Sequence, residues 1–489
     1  MERESAWKRY DEDQLAELEQ LAAGYIDFIS ENKTEREFAA AAIRSAEAAG
    51  YESLEDAISA GRKLACGDKV WACMRGKAVI LMQLGRQPLT QGMNILGAHI
   101  DSPRLDVKQN PLYESNDFAF LDTHYYGGIK HYQWVTIPLA LHGVVAKKDG
   151  SVVDVVIGED ADDPVFCVSD LLIHLANAQM GKKANEVVEG EALDILVGNR
   201  PLVVREDDAD AEGGSGGSGD AAAGDADADS AKAPEKDPVK AFALQLLNEK
   251  YGIEEEDFLS AELEVVPAGR ARDMGFDRSM VIGYGQDDSV CAYTSLVAQL
   301  AVAGEELDRT GVCVLVDKEE IGSVGATGMA SQFFENTVAE VMELAGEPGM
   351  LPLRRALAAS AMLSSDVSAG LDPAYVSVFE PKNSAFLGRG LVFNKYTGAR
   401  GKSGSNDARA EYMARIRKIM DDADVQFQTC ELGKVDAGGG GTIAYIPAKY
   451  GMDVIDSGVA VLSMHSPWEV TSKADIYEAE RGYEAFLKA

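Results

Sequence analysis

The chain has 489 residues, 46% of them hydrophobic, which is enough to bury a large core and to form two or more domains. Its 81 acidic and 46 basic residues give a net charge of -35, and this charge disfavours binding to nucleic acid or to an anionic membrane. The sequence shows no signal segment, no apolar run of membrane-spanning length and six cysteines without a Cys-x-x-Cys pair. We therefore expect a cytoplasmic protein with buried thiols.

The first hundred residues predict helices followed by two strands. Between residues 7 and 50, apolar side chains recur at helical spacing. Two β-rich runs follow at residues 78–84 and 94–100, and the second brings His99 and Asp101 to the end of a buried strand. A histidine in this position is a candidate for site chemistry, although a single strand-end histidine is more often a hydrogen-bonded structural residue.

Residues 107–199 change to short alternating stretches, which indicate antiparallel strands in a separate β-rich module. Residues 206–238 are then dominated by Gly, Ser, Asp and Ala, and they carry eleven acidic and two basic residues. Such a segment buries too little apolar surface to offset the entropy that is lost on ordering. We therefore predict a disordered surface loop at residues 206–238.

An alternating pattern of helices and strands follows this segment and predicts an α/β fold. The chain closes with an amphipathic helix. The predicted elements are helices at 238–250, 289–303 and 473–487, and strands at 259–266, 279–285, 311–316 and near Met362 and Val459.

The most informative strand contains residues 312–316, an apolar run that ends abruptly at charge. Its pattern predicts a strand buried on both faces, with Asp317, Glu319 and Glu320 at its carboxyl end, where open α/β sheets hold ligands. Two adjacent carboxylates can divide the work, because one binds a metal while the other accepts a proton from water. A solvated charge run at the start of a surface helix is the alternative for these residues.

Four further features follow predicted strands and point to the same sheet edge. Asp287 and Asp288 begin a helix, where one carboxylate is expected to face the site and the other to cap the helix. Asp366 and His465 each follow an apolar run, and the glycine run that includes Gly440 allows the backbone to approach a substrate closely. Each feature alone has a structural explanation. Together they supply the two histidines and several carboxylates that a pair of metal ions requires.

These motifs resemble, in order and in local wording, the aspartyl aminopeptidase and aminopeptidase I family of dinuclear zinc exopeptidases, and in particular its prokaryotic branch. The resemblance extends over nearly the whole chain. The segments that carry it are 99–105 (HIDSPRL), 317–323 (DKEEIGS), 365–367 (SDV), 395–404 (KYTGARGKSG), the glycine run at 438–441 and 464–467 (MHSP).

The resemblance implies a three-layer α/β catalytic domain of the zinc-exopeptidase type, interrupted by a β-rich dimerisation domain. The catalytic domain would comprise residues 1–106 and 251–489, and the dimerisation domain residues 107–250, with the insert at 206–238. A homo-oligomer is also implied, usually a dodecamer built from dimers. The chain departs from the eukaryotic branch at Asp170, which replaces a histidine that serves a neighbouring subunit's active site.

The resemblance also implies a role for each site residue. It implies two Zn2+ per chain, with Glu319 as the general base and Asp101 orienting His99. Co2+ or Mn2+ would be accepted by the same nitrogen and oxygen ligands. The implied metal ligands are His99 and Asp366 for one ion, Glu320 and His465 for the other, and Asp287 as the bridge between the two.

The expected function is that of a metalloaminopeptidase, which releases the N-terminal amino acid from short peptides by attack of a metal-bridging hydroxide. Lys395, Arg400 and Lys402 are candidates for binding an acidic substrate side chain, and Gly440 for close approach to the substrate. Ion-paired structural residues are the alternative for the three basic side chains. An N-acyl amino acid deacylase and an inactive scaffold are the alternative functions, although the inserted β-rich module and the complete set of ligand types disfavour them.

Overall fold

The computed structural model describes residues 4–203, 236–398 and 401–489. Residues 206–235 of the predicted disordered loop lie outside the described residues, and so does Arg400. The chain divides into two compact units. The larger unit consists of Met1–Arg104, Tyr126–Gln133 and Val266–Ala489, and the smaller unit of Leu105–Tyr125 and Trp134–Val265.

The three helices whose bounds the sequence predicts begin and end close to those bounds, at Pro238–Tyr251, Gln286–Ala301 and Lys473–Leu487, and the last matches its prediction. The first two helices begin with capping boxes, formed by Asp11 with Gln14 and by Thr34 with Glu37, which satisfy free N–H groups of the first turn. None of the helices in the described residues has the length and apolar character needed to cross a membrane. The α-helices of the described residues are α1 Glu12–Glu31, α2 Glu35–Ala48, α3 Leu54–Ser59, α4 Pro238–Tyr251, α5 Gln286–Ala301, α6 Phe333–Leu344, α7 Met350–Ala359, α8 Ala410–Asp422, α9 Tyr445–Ala448 and α10 Lys473–Leu487.

The strands of the described residues form three sheets, two in the larger unit and one in the smaller. In chain order they are β1 Glu52–Ser53, β2 Lys69–Met74, β3 Ala78–Gln83, β4 Met93–His99, β5 Arg104–Ser115, β6 Phe118–Tyr126, β7 Leu139–Ala146, β8 Val152–Ile157, β9 Ile195–Gly198, β10 Ala261–Pro267, β11 Arg272–Met274, β12 Met280–Gly283, β13 Thr310–Val316, β14 Ala361–Ser365, β15 Ser368–Ala369, β16 Leu391–Asn394, β17 Phe427–Cys430, β18 Asp453–Gly458, β19 Ala460–Leu462 and β20 Glu469–Ser472.

The largest sheet has nine strands in the order β1-β2-β3-β13-β4-β14-β18-β16-β17. Four neighbours in its middle, β13, β4, β14 and β18, run parallel, so that Val316 pairs with His99 and Ser365 with Ser457. Parallel neighbours end at the same edge of a sheet, and the residues that follow them are therefore brought together. His99, which ends β4, and Asp366, which follows β14, meet at this edge.

Alternate residues of the central strands pack on opposite faces of the nine-stranded sheet. In β13, Cys313 and Leu315 join a core with residues of α2, α5, α8 and α10, whereas Val312 and Val314 pack with residues of α3, α6 and α7. Every residue of β13 is buried, which confirms the prediction of a strand with two buried faces. The apolar run in the sequence reflects helices on both sides of the sheet.

A five-stranded sheet in the same unit, with the order β11-β12-β20-β19-β15, positions two further site segments. β12 ends at Gly283 and α5 begins at Gln286, so Asp287 lies in the first turn of a helix. β19 ends at Leu462, three residues before His465. β20 then begins at Glu469, which pairs with Gly283. The two segments therefore leave the same sheet.

The smaller unit is built on a six-stranded sheet with the order β8-β7-β10-β5-β6-β9. Its pairs β7 with β8, β10 with β5 and β6 with β9 are antiparallel. The sequence analysis assigned the strand at 259–266 to the α/β pattern, and this assignment is wrong because β10 pairs with β5, Glu264 opposite Asp106. The hydrophobic pattern of a strand shows that it is buried but does not identify its neighbours.

Candidate metal centre

His99 lies at the carboxyl edge of the nine-stranded sheet and is almost completely buried. Its Nδ1 atom lies 3.0 Å from the main-chain oxygen of Asp101 and 3.3 Å from Oδ1 of the same residue. Its Nε2 atom lies 3.3 Å from Oδ1 of Asp287. The imidazole is therefore held between two carboxylates, with Nε2 directed toward Asp287.

Asp287 faces both histidines of the site. Its Oδ1 lies 3.3 Å from Nε2 of His99, and its Oδ2 lies 3.1 Å from Nε2 of His465. The hydroxyl of Ser102 donates a hydrogen bond to its carbonyl oxygen at 2.8 Å. The neighbouring Asp288 was expected to cap the helix, but its carboxylate accepts the main-chain N–H of His99 instead, at 3.4 Å. A carboxylate with one oxygen toward each histidine has the arrangement of a bridge between two cations.

The two adjacent glutamates both reach the site because the chain turns sharply after β13. Lys318 has a left-handed backbone conformation, with φ 69°, and Glu319–Ile321 forms a short 3-10 helix. Ligand atoms of Glu319, Glu320 and His99 lie within 4.8 Å of one another. Side chains that would point in opposite directions along an extended strand therefore meet on one side.

Asp366 and His465 complete two overlapping clusters of possible metal ligands. One cluster contains His99, Asp287 and Asp366, and the other contains Asp287, Glu320 and His465. Within each cluster the ligand atoms all lie within 4.8 Å of one another. The structure thus brings together every residue that the sequence motifs single out as a metal ligand, with Asp287 common to both clusters.

His465 is oriented by the segment that follows β6. Its Nδ1 atom lies 2.9 Å from the carbonyl oxygen of Gly128, which leaves Nε2 to face the carboxylates. The adjacent Gly127 has a φ of +76°, and a Cβ atom there would lie 3.2 Å from Oε2 of Glu320. The backbone conformation therefore favours glycine at 127, and a larger residue would also press against the Glu320 side chain.

Asp101 links the end of β4 to the turn after β13. Its Oδ1 accepts the N–H of Glu319 at 3.1 Å, and its Oδ2 accepts the N–H of Glu320 at 3.2 Å and the hydroxyl of Tyr126 at 2.8 Å. Burial opposes ionisation of Asp101, but the hydrogen bond and charge of His99 lower its pKa overall. This one carboxylate thus positions a histidine and both glutamates.

The acidic side chains of the site carry poorly compensated negative charge. Burial, followed by the charge of Asp287, raises the pKa of Glu320 well above its usual value. Burial, followed by the charge of Asp288, does the same for Asp366. Burial also raises the pKa of Glu319. A cation among these carboxylates would offset the cost of burying them.

The two histidines show the complementary effect. Burial alone would lower the pKa of His99, but hydrogen bonds to Asp101 and Asp287 raise it overall. Burial also opposes the charged form of His465, yet Asp287 raises its pKa to about 10. A protonated imidazole and a metal cation are alternative sources of positive charge beside these carboxylates.

The residues of the site fit zinc. Every candidate ligand is a histidine nitrogen or a carboxylate oxygen, and zinc accepts both. Oε1 of Glu320 is buried and has no hydrogen-bond partner among the described residues, which is costly unless a cation meets it. Each histidine has its Nδ1 fixed by a protein oxygen and turns its Nε2 to the clusters, as metal-bound histidines do.

The predicted substrate-binding residues Lys395 and Lys402 are both ion-paired. Lys395 pairs with Asp407, and the Nζ atom of Lys402 lies 3.0 Å from the same carboxylate and 3.6 Å from the ring centroid of Tyr396. These contacts match the structural alternative considered for the basic residues. A role in substrate binding for these lysines and for Gly440 stays a prediction.

The sequence analysis missed Glu469, a buried glutamate that touches two candidate ligands. Its Oε1 accepts the N–H of His465 at 2.7 Å, and its Oε2 accepts the N–H of Asp287 at 3.0 Å. Its position four residues after His465, just beyond the 464–467 motif, was the available signal. Tyr126, the last residue of β6, and Gly128, which follows that strand, were also missed, because β6 lies far away in the sequence and carries no other site residue.

Two clusters of histidine and carboxylate share one aspartate at the edge of an α/β sheet, beside the half-buried Glu319. This arrangement is typical of metal-dependent hydrolases, in which metal cations polarise a carbonyl group and a carboxylate moves a proton.

Comparison with known proteins identifies the family. Residues 28–487 match the family described as Aminopeptidase I zinc metalloprotease (M18). The Probable M18 family aminopeptidase 1 of Clostridium acetobutylicum is 57% identical over 486 residues, which cover 99% of this chain and 98% of that relative. The crystal structure of aminopeptidase I from Clostridium acetobutylicum is 54% identical, covers 100% of both chains and has a TM-score of 0.88.

Two further solved structures share the fold. The M18 aminopeptidase of Thermotoga maritima is 40% identical, with a TM-score of 0.89 over 100% of this chain and 99% of its own. The dodecamer of mApe1 from S. cerevisiae is 18% identical, with a TM-score of 0.72 over 96% of each chain. The chain belongs to the aminopeptidase I (M18) family of zinc metalloproteases, and it is a zinc-dependent aminopeptidase, a hydrolase of peptide bonds. The resemblance of the sequence motifs and the expected mixed α/β fold are confirmed.

The close packing around Asp366 gives a test of the site geometry. A Cβ atom at Gly458 would lie 2.0 Å from the main-chain oxygen of Asp366, so we expect Gly458→Ala to displace that residue. Because misplacement of a site residue by about 1 Å costs about 10²-fold in rate, peptidase activity is expected to fall by that order. Gly304→Ala is the control, since a Cβ there meets nothing within 4 Å. Equal activity of the two variants would contradict the geometry.

Proposed function

We propose that the chain releases the N-terminal amino acid from short peptides at a centre of two zinc ions. The observation that carries the proposal is the position of Asp287, whose two oxygens face Nε2 of His99 and Nε2 of His465. His99 and Asp366 would hold one ion, Glu320 and His465 the other, and Asp287 both. The same nitrogen and oxygen ligands would also accept Co2+ or Mn2+.

When bound, the two zinc ions would polarise the scissile carbonyl group and lower the pKa of the attacking water. Glu319 is the proposed general base, because its carboxylate lies within 4.8 Å of ligand atoms of His99 and Glu320 without belonging to either of the two clusters that share Asp287. Its carboxylate accepts a proton from the attacking water and returns it to the leaving amine. Burial raises the pKa of Glu319, which suits a base that works near neutral pH. Asp101 keeps Glu319 in place, because the carboxylate of Asp101 accepts the main-chain N–H of Glu319.

The larger unit would form the three-layer catalytic domain and the smaller unit the dimerisation domain. Helices that pack on both faces of the nine-stranded sheet support the first assignment. We also propose a cytoplasmic location, supported by six cysteines that are all free thiols, three of them buried.

We propose a homo-oligomer, a dodecamer built from dimers. The mApe1 structure is a dodecamer, and the family relationship supports the same assembly here. A run of exposed apolar side chains between residues 171 and 180, in the smaller unit, gives independent support, because large exposed apolar surfaces mark association sites. The most exposed members of this run are Leu171, Leu172, Ile173, Leu175 and Met180, which are 46%, 54%, 65%, 69% and 67% exposed.

The zinc requirement is tested by removal and restoration of metal. We expect a chelator to abolish peptidase activity and added zinc to restore it, because the proposed mechanism requires metal to polarise the carbonyl group. Elemental analysis is expected to approach two zinc ions per chain. Full activity in a sample shown to be free of metal would disprove the proposal.

The roles of the two glutamates are tested separately. Glu319→Gln keeps the shape of the side chain but cannot accept a proton, so turnover is expected to fall by about 10²–10⁴ while zinc content stays normal. Glu320→Gln is expected to lower zinc content. The control is Glu343→Gln on the exposed face of α6, which is expected to change neither quantity. Loss of zinc in Glu319→Gln together with normal zinc in Glu320→Gln would exchange the two assignments.

The assembly is tested by light scattering after size-exclusion chromatography. We expect a particle of twelve chains, and we expect the double variant Ile173→Asp, Leu175→Asp to dissociate it, because charge in an apolar interface is costly. Leu351→Asp is the control, since Leu351 is 60% exposed but lies in the larger unit. A monomeric wild-type protein at micromolar concentration would refute the proposed assembly without affecting the proposed catalytic site.

A further inference from the structure

Glu469 connects the two segments that carry Asp287 and His465. It is the first residue of β20 and is 1% exposed. Its two carboxylate oxygens accept different main-chain N–H groups, that of His465 at 2.7 Å and that of Asp287 at 3.0 Å. One side chain therefore contacts the backbone of a residue in each segment, although the two residues are far apart in the sequence.

Each of these N–H groups lies at an irregular point of the backbone. Asp287 interrupts the first turn of α5, with φ -83° and ψ 102°, and N–H groups in a first helical turn have no partner within the helix. His465 has a φ of 65°, a left-handed conformation that is uncommon for a residue other than glycine. A left-handed conformation such as that of His465 persists where the surrounding structure holds it in place. Glu469 supplies the hydrogen-bond acceptor for each.

The main chain of Glu469 is itself held in place by buried hydrogen bonds. The side-chain amide of Gln286 donates hydrogen bonds to the carbonyl oxygens of Glu469 at 2.6 Å and of Val281 at 3.2 Å. The hydroxyl of Tyr25, in α1, donates to the oxygen of the same amide at 3.3 Å. The main chain at Glu469 is thus fixed by a buried network, so its carboxylate is a rigid reference point for the two segments.

On the basis of the proposed zinc function, we propose that Glu469 is a positioning residue that sets the spacing between Asp287 and His465 before zinc binds. The carboxylate oxygen of Asp287 and the imidazole nitrogen of His465 must converge on one ion. Because the backbone of both residues is tied to one carboxylate, their side chains start from a fixed separation. Zinc affinity therefore depends on Glu469, although its own side chain is occupied by the two N–H groups and not by metal.

The test compares two buried glutamates. In Glu469→Gln, the amide oxygen still accepts one N–H, but the amide NH₂ group faces the other N–H, so one of the two contacts becomes repulsive. The matched control is Glu478→Gln in α10, because Glu478 is also 1% exposed and accepts a main-chain N–H, that of Gln426 at 2.8 Å. Both variants replace a buried carboxylate, but only Glu469 contacts proposed ligands.

The measurement is the zinc affinity of the metal-free protein, obtained by competition with a chromophoric chelator. We expect Glu469→Gln to weaken binding of at least one ion by about 10–100-fold, as is found when groups that orient metal ligands are changed. Glu478→Gln is expected to bind zinc as the wild type does. The visible absorption of protein loaded with Co2+, which reports on ligand geometry, is expected to change only in Glu469→Gln.

Wild-type zinc affinity in Glu469→Gln would overturn the proposal, as would an equal loss of affinity in Glu478→Gln. If Glu469→Gln does not fold, Glu469→Asp takes its place, because it keeps the charge and shortens the reach to both N–H groups. Wild-type zinc affinity in a folded Glu469→Asp protein would then overturn the proposal. Failure of the wild-type protein itself to bind zinc would instead refute the proposed function.

Discussion

The carboxylate of Asp287, placed between two imidazoles, is the interaction on which the site depends. It lies in a buried environment where an unpaired charge is costly, and each of its oxygens faces the Nε2 atom of a histidine. The Nδ1 atom of each histidine, on the other side of the ring, must therefore be held by another group. Asp101 does this for His99, and the carbonyl oxygen of Gly128 does it for His465. Removal of either support would free an imidazole to turn away from the shared carboxylate.

The parallel strands of the sheet position two of the site residues, and sharp turns position the others. Parallel strands bring His99 and Asp366 to one edge, with helices packed on both faces to bury the strands completely. The remaining groups arrive from sharp turns, and two of these turns require left-handed backbone at Lys318 and His465. Backbone strain at a site persists where the surrounding structure opposes relaxation. The contacts of Asp101 and Glu469 with main-chain N–H groups serve that purpose.

Family membership decides between the functions that the sequence left open. A zinc aminopeptidase accounts for the full set of histidine and carboxylate ligands, whereas an inactive scaffold would not need buried carboxylates whose pKa values are raised. The basic residues considered for substrate binding show a different outcome. Lys395 and Lys402 share Asp407 as an ion-pair partner, and a pair of this kind explains both lysines without a substrate.

The sequence by itself determined several of the strands that carry the site, the order of the motifs and the types of ligand, because a doubly buried strand and the charged residues that end it leave a local pattern, as in β13 with Glu319 and Glu320. The tertiary structure decided which residues are in contact. The pairing of β10, the distances from Asp287 to the two histidines and the contacts of Glu469 depend on residues far apart in the chain. Hydrophobic periodicity records only whether a residue is buried, and it contains no information about its partner.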